Sequence, residues 1–540
     1  MCNVIDCGLD EYENGKCILH CEKDNNIKKC SYSEINEFWI AIEEIISKFN
    51  NKKYDSYIFK GINFPDFKYT NGKFIYQTNE DEFIEIFSNI QYDKPIIFDN
   101  CTFQDEVFIS KKCKANYVCF KNNCIFYTSK IHIDKKVKFL GKCKFKKNFN
   151  ITCDFNSVDF TYIFHNCIFT KKVYIYGSTE KDLIISSKLF NECFFLDNIG
   201  ISNIVVNSKS LFRKCHFEHA KTLNINDAEI HSSLNIRDFS NFNEVKITNS
   251  TFLNIFKLKQ DTLSKLYISN CIFEKEVEIL IYNIKSLNIL NGSFYETFII
   301  DFSEVNILKF KNNYFKNIIF SNRNLDTNID FVSCVFVSSN FHNANLESNI
   351  ANRETARIIK DSFEQQNNII EANKFYAIEM QKREEELDKE KRNGKNFFDW
   401  LIFKVHGLAS NHSQDSLLAL FWILIFSFTY GFINCLNESL DTKLEYLLVD
   451  SFIIGIILLI SIWVVKKENI NNFYLVLCFY IFYSFFSKDF TLYNISNNIN
   501  PFSIMTGLEE LSFLTLLYKI SIAFLIYQFI ISIRQNTRRK

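Results

Sequence analysis

Proline and glycine are scarce, at 3 and 13 in 540 residues. Long flexible or proline-rich linkers are therefore excluded, as are collagen-like stretches. Neither sign of charge is in excess, because 62 Lys and Arg balance 62 Asp and Glu. Without a basic surplus there is no general electrostatic pull toward phosphate backbones, so no nucleic-acid partner is expected. Residues 1–6 have neither the basic nor the apolar region of a secretory signal. The segment that follows is expected in a reducing compartment, where its Cys stay thiols or metal ligands. No phosphate-binding glycine loop is present, and no Ser, His or acid spacing suggests hydrolytic machinery. The chain is therefore read as non-enzymatic.

What is there is repetition. Phe98-Asp99-Asn100-Cys101-Thr102-Phe103 introduces a Cys-x-Phe frame that returns along the chain. It recurs as Cys124 with Phe126, Cys143 with Phe145, Cys167 with Phe169, Cys193 with Phe195, Cys215 with Phe217, Cys271 with Phe273 and Cys334 with Phe336. Gly292 with Phe294 and Asn313 with Phe315 keep the frame without the Cys, and positions 271, 292, 313 and 334 lie 21 residues apart. A fixed period of this size marks a solenoid. Apolar residues alternate in short runs, as in Val137 and Phe139, Leu223 and Ile225, or Leu287 and Ile289, between Asn- and Ser-rich turns. That pattern describes short strands. The expected fold over residues 51–348 is a β-solenoid, a parallel β-helix with about 21 residues per coil. A stacked inward column needs a small side chain, so these Cys and Phe are read as one structural ladder.

Residues 334–348 divide into three five-residue units: Cys334-Val-Phe336-Val-Ser, Ser339-Asn-Phe341-His-Asn and Ala344-Asn-Leu346-Glu-Ser. A small residue two places before a central Phe or Leu resembles the bacterial pentapeptide-repeat proteins. The resemblance implies a right-handed β-helix, degenerate here because most coils keep one clean unit. It implies no function.

Residues 1–30 hold Cys2 and Cys7, then Cys17 with either His20 or Cys21. Two close pairs across a short loop suit a tetrahedral structural zinc site. The metal would supply folding free energy that so short a segment cannot get from packing. The stretch looks like the small Cys/His zinc knuckles of bacterial proteins. The fourth ligand, His20 or Cys21, stays open. Ser31 and Glu34 stand at capping-box spacing, opening a helix over residues 31–50. Ile35, Phe38, Trp39, Ile42, Ile45, Ile46 and Phe49 fall on one stripe that caps the first coil.

The pattern changes after residue 348. Residues 349–393 read as a charged helical connector, and 394–416 as a juxtamembrane amphipathic segment. Within residues 417–540, apolar stretches at 417–436, 447–465, 473–486 and 511–533 read as an α-helical membrane domain with four spans. Lys and Arg flank these spans in excess on one side. That places both termini in the cytoplasm and the protein in the inner (plasma) membrane, multi-pass. Asp450 and Lys519 are charges inside this domain and are read as a pair. The expected function is a membrane-anchored cytoplasmic scaffold whose solenoid face meets a protein partner or a second copy of the chain. The alternative is an ion channel or transporter subunit with the solenoid as sensor. Some pentapeptide-repeat proteins end in a two-span potassium-type pore. Here Asn500 to Gly507, between the last two spans, lacks a Thr-Val-Gly-Tyr-Gly filter.

Overall fold

A phrase that returns at a constant interval places like residues over like residues, and the strands pair in parallel register as a result. Phe256 pairs with Val277, and Val277 with Phe298, each a step of 21 residues. Toward the N-terminus the step is looser: 19 from Phe126 to Phe145 and 26 from Phe169 to Phe195. The computed structural model describes residues 9–22, 32–51, 54–65, 86–129, 131–152, 161–178, 182–208, 210–217, 222–236, 242–322, 329–342, 350–392, 396–437, 452–462, 472–500 and 513–537. The chain divides into two units, Met1–Ala351 and Asn352–Lys540.

The first unit is the β-solenoid, whose stacked strands form four sides, a to d. Side a stacks Tyr57–Lys60, Ile96–Asp99, Tyr117–Lys121, Lys136–Leu140, Phe164–His165, Phe190–Asn191 and Phe212–Arg213. Side b stacks the short strands of the frame from Asn63–Phe64 to Phe194–Phe195. Side c begins with Phe149–Ile151 and Val173–Tyr176 and runs on toward the C-terminus. Side d begins at Leu183–Ile185 and continues through Ile204, Ala228 and the Thr251, Ile272, Ser293, Tyr314 and Val335 strands.

Two aromatic stacks fill the interior of the N-terminal coils. On side a, Phe59, Phe98, Phe120, Phe139, Phe164, Phe190 and Phe212 stack face to face, with centroids 4.7 to 5.3 Å apart. On side b, Phe64, Phe103, Phe126, Phe145, Phe169, Phe195 and Phe217 do the same at 4.6 to 5.2 Å. The spacing is that of parallel strands, so each ring lies one strand above the last.

Helix α1 (Tyr32–Asn51) closes the first coil. Phe38 meets the Phe64 ring at 5.5 Å, and Phe49 meets Tyr57 and Phe59 at 5.7 and 6.1 Å. Its apolar stripe thus covers the open end of the aromatic stacks.

The second unit is helical. Helices α2 (Arg353–Gln365) and α3 (Ile369–Arg392) form a hairpin whose turn carries Asn367 at φ 57°. Asn352 caps α2 by accepting from the Thr355 amide at 2.9 Å. Then come α4 (Phe397–Ser410), α5 (Ser416–Asn437), α6 (Phe452–Ile462), α7 (Asn472–Ser487), α8 (Tyr493–Ile499) and α9 (Phe513–Thr537). Among the described residues two helices, α5 and α9, are long and apolar enough to cross a membrane, where four spans were expected. Helix α7 is apolar throughout, yet its 16 residues reach only about 24 Å against a hydrocarbon core of about 30 Å. The chain turns at once: Lys488 sits at φ 54°, and Asp489 accepts from the Tyr483 hydroxyl at 3.2 Å. Helix α6 is described over residues 452–462 only.

Candidate functional site

The N-terminal knuckle is a turn followed by a docked Cys-x-x-His. Glu13 and Lys16 bridge across Asn14 and Gly15, both at positive φ. This is the Asn-Gly pairing favoured in tight hairpins. Cys17 Sγ lies 3.1 Å from His20 Nδ1, and both side chains are buried. His20 Nε2 lies 2.9 Å from the Lys60 carbonyl. A carbonyl only accepts, so Nε2 carries the proton and Nδ1 is the nitrogen that can face a metal. Cys21 Sγ instead donates toward the Ile18 carbonyl at 3.5 Å. The donor chemistry at Cys17 and His20 fits half of a zinc site, with His20 better placed than Cys21. Cys2 and Cys7 lie outside the described residues, and among the described residues no three His, Cys, Asp or Glu cluster as metal ligands.

The knuckle also does something that its spacing did not suggest. In later coils the amide of the residue before each side-b Phe donates one coil back, as Thr102 does to Ile62. In the first coil Asn63 N donates to Leu19 O at 2.8 Å. The Asn63 side-chain amide adds bonds to the His20 and Cys21 carbonyls at 3.1 and 3.0 Å. Residues 19–21 thus stand in for a missing coil. Tyr12 donates to Glu34 of α1 at 2.5 Å, and the carboxylate beside it raises the phenol pKa.

The frame, expected as one ladder, is two columns on different edges. Cys101, Cys124, Cys143, Cys167, Cys193 and Cys215 line the corner between sides a and b, with their Phe partners on side b. Cys271 with Phe273, and Cys334 with Phe336, belong instead to side d. Phe273 pairs with Phe252, Phe252 with Ile230, and Ile230 with Val206, away from side b. The Phe273 ring therefore does not extend the side-b stack. It lies between Phe252 at 4.7 Å and Phe294 at 5.0 Å, in a separate stack that Phe315 and Phe336 continue. The frame holds to side b through steps of 19 to 26 residues, lapses after Cys215, and resumes at the corner between sides c and d, because both corners are built alike, from a left-handed residue followed by a small one, as at Asn100 and Asn270. All eight thiols are buried. Thiols along the first column point at nearby backbone carbonyls, as Cys101 does to Phe59 O at 3.2 Å and Cys124 to Lys121 O at 3.2 Å. Burial pushes the Cys101 thiol up to about 12, and those of Cys119 and Cys271 up to about 11. Cys101, Cys119 and Cys271 are packed thiols, not thiolates poised for chemistry.

In the second unit a buried polar joint ties α3, α4 and α9 together. His406 Nδ1 faces His412 Nδ1 at 3.3 Å, and His412 Nε2 faces Glu384 Oε2 at 3.3 Å. His406 Nε2 lies 3.5 Å from Ser413 Oγ. Ser410 and Ser413 each donate to Gln528 Oε1 at 3.0 Å. Glu384 also holds the Lys404 ammonium, and Trp400 donates to Asp388 at 2.6 Å. His412, Ser410, Ser413 and Gln528 are all buried. The scattered His of the sequence did not reveal this site. The separation of 6 between His406 and His412 fits no helical face. The turn at Asn411, His412 and Ser413, with φ of 47°, 54° and 65°, folds His412 back onto α4.

Lys519 is buried in α9, and its ammonium donates to the Asn500 carbonyl at 3.1 Å. Asp450, its expected partner, lies outside the described residues. No family model, curated protein or solved structure matches the chain.

Proposed function

We propose that the protein is a membrane-anchored, non-catalytic scaffold. The observation that carries this reading is the apolar surface of the second unit. Phe398, Leu417, Phe452, Leu459 and Phe485 are each 70% or more exposed, spread over α4, α5, α6 and α7. Large apolar side chains presented in this number fit lipid surroundings better than water. Helices α5 and α9 have the length to cross.

The solenoid supplies the scaffold. Its thiols and rings turn inward, and its outer surface repeats one row per coil, about 4.8 Å apart. Ion pairs tie adjacent rows, as in Lys257 with Glu276 and Glu278 at 2.9 and 2.6 Å, and Lys275 with Glu296 at 2.7 Å. A rigid, regular ruler of this kind suits a protein partner, which solenoids engage along an extended face. The reading extends to a right-handed coil of the pentapeptide type. It also includes a structural zinc at Cys2, Cys7, Cys17 and His20. In the membrane it takes α5 and α9 as the crossings, with both ends cytoplasmic and Asp450 beside Lys519.

A channel is the competing reading, and the packing of α5 against α9 weighs against it. Between Thr515, Tyr518 and Lys519 at one end and Gln528 at the other, the buried face of α9 carries Ile522 and Leu525, packed with Phe421, Trp422 and Ile425. Among the described residues that middle stretch is apolar and gives ions no continuous polar lining between Lys519 and Gln528. Reconstitution of the full chain into liposomes tests both points. Resistance to alkaline carbonate extraction and silence in planar bilayers are expected. Release into the wash would remove the anchor, and discrete openings would replace the scaffold with a channel.

A further inference from the structure

We propose that His406 and His412 form a proton-binding joint between α3 and α9. It is closed while their facing Nδ1 atoms share one proton and open when each ring carries its own. The proposal goes beyond the scaffold reading and does not require α5 or α9 to cross a bilayer.

The hydrogen bonds assign the protons. An ionised Glu384 only accepts, so His412 donates from Nε2, which leaves its Nδ1 lone pair facing His406. His406 then donates from Nδ1 across the 3.3 Å gap. Its Nε2 is turned to Ser413, whose hydroxyl has Gln528 as its other partner. The contacts run from Glu384 on α3 to Gln528 on α9, and because Ser413 gives its one hydrogen to Gln528, the link from His406 to Ser413 is made only when His406 Nε2 carries a proton. A proton from solvent at His406 Nε2 finds an acceptor in Ser413, which donates onward to Gln528, but it places a charge in a partly buried site beside His412. A further proton at His412 Nδ1 sets two N–H groups against each other in the same gap, and no acceptor replaces the one lost.

The surroundings offer little relief. Helix α3 faces the pair with Glu384, already engaged by Lys404 of α4, and Asp388 lies 3.6 Å from that same ammonium. Asp415 in the turn is occupied by the Leu418 amide at 2.9 Å. Helix α9 contributes neutral Gln528, and Trp422 of α5 donates to the Leu408 carbonyl at 2.8 Å. Burial, and then the neighbouring His412, hold the His406 pKa below its ordinary value. A depressed pKa means that the open state takes up the proton first. The closed joint is therefore stable above the ordinary His range, about pH 6.5, and loses stability as pH falls below it. The local backbone agrees with a built device. Three successive non-glycine residues hold positive φ. Gly407 has no Cβ where one would lie 3.0 Å from His412 Nε2.

Hydrogen exchange of the full chain in detergent micelles, at about pH 7.5 and about pH 5.5 and corrected for intrinsic rate, tests the joint. Protection of segments 404–415 and 525–535 is expected to fall about tenfold at the lower pH, with the solenoid unchanged. His412→Gln keeps a donor toward Glu384 without titrating, and is expected to hold its protection at both pH values. Equal wild-type protection at the two pH values overturns the proposal, as does a fall that persists in both His406→Gln and His412→Gln. If a variant is already unprotected at the higher pH, exchange at the histidine C2 positions of the wild type decides. His406 titrating below the ordinary value, in a step separate from His412, supports the joint. Both rings titrating together at the ordinary value would sink it.

Discussion

Asn249, Asn270, Asn291 and Asn312 share a left-handed backbone conformation, with φ between 49° and 54°. Each stands just before the small residue of the frame and turns the chain from side c to side d. Asn tolerates that conformation better than most L-residues. Its side chain then joins a ladder, Asn270 to Asn249, Asn291 to Asn270 and Asn312 to Asn291, at 3.0, 2.9 and 3.1 Å. Replacing Asn291 by Gly loses two ladder bonds, about 2 kcal/mol. Replacing it by Val adds about 1–2 kcal/mol of backbone strain. The thermal midpoint of the β signal is expected to fall further for Asn291→Val than for Asn291→Gly, and equal shifts would dismiss the strain argument. The two gaps in the Cys frame explain each other in the same way. Buried Asn313 accepts from the Gly292 amide at 2.7 Å and donates to Ile289 O at 2.7 Å. A Cβ on Gly292 would come within 2.9 Å of the Phe294 ring and 3.1 Å of Asn313 Oδ1. Gly292→Cys alone should destabilise by about 1–3 kcal/mol through overpacking. Gly292→Cys with Asn313→Cys, which restores the common column, should recover the part of that loss that Asn313 causes, and the double-mutant cycle measures it.

At the scale of elements, the N-terminal end is closed twice, by the stripe of α1 and by the carbonyls of the knuckle. An open end would expose unpaired strand groups and stacked rings, which invite association. Phe38→Ala removes the ring over Phe64 and is expected to cost about 3–5 kcal/mol and to promote end-to-end association, seen as a mass increase in light scattering. Coils contact only their neighbours, so damage at one end should stay near it. If zinc holds the knuckle, chelation should raise hydrogen exchange at residues 57–64 and leave residues 256–311 untouched. No change at residues 57–64 on removal of bound zinc would separate metal from cap. The cap stripe was legible in the sequence because helical periodicity is local. The carbonyls of residues 19–21 were not, because backbone groups leave no trace in residue identity.

For the whole molecule, each unit has its own core, and their chemistry differs: stacked Phe and thiols in one, apolar helices in the other. Heating the full chain in micelles is expected to give separate losses of β and helical signal, whereas coincident transitions would mean that the units unfold as one. The sequence by itself determined the solenoid. A 21-residue period forces parallel register, and alternating apolar residues force one face inward, so both follow from spacing alone. It also determined that the ladder Cys would be small buried packers. Only the tertiary structure decided which edge of the coil each Cys column occupies. The frame leaves side b, where Phe195 stacks, after Cys215 and resumes on side d, where Phe273 stacks, because both corners take the same left-handed residue followed by a small one. It also decided how the chain leaves α7, because an apolar window does not show that the backbone turns left-handed at Lys488. The meeting of His406, His412, Glu384 and Gln528 was likewise a tertiary decision. It joins residues up to 144 positions apart (528 − 384) through a turn of three left-handed residues, and no local period encodes such a contact.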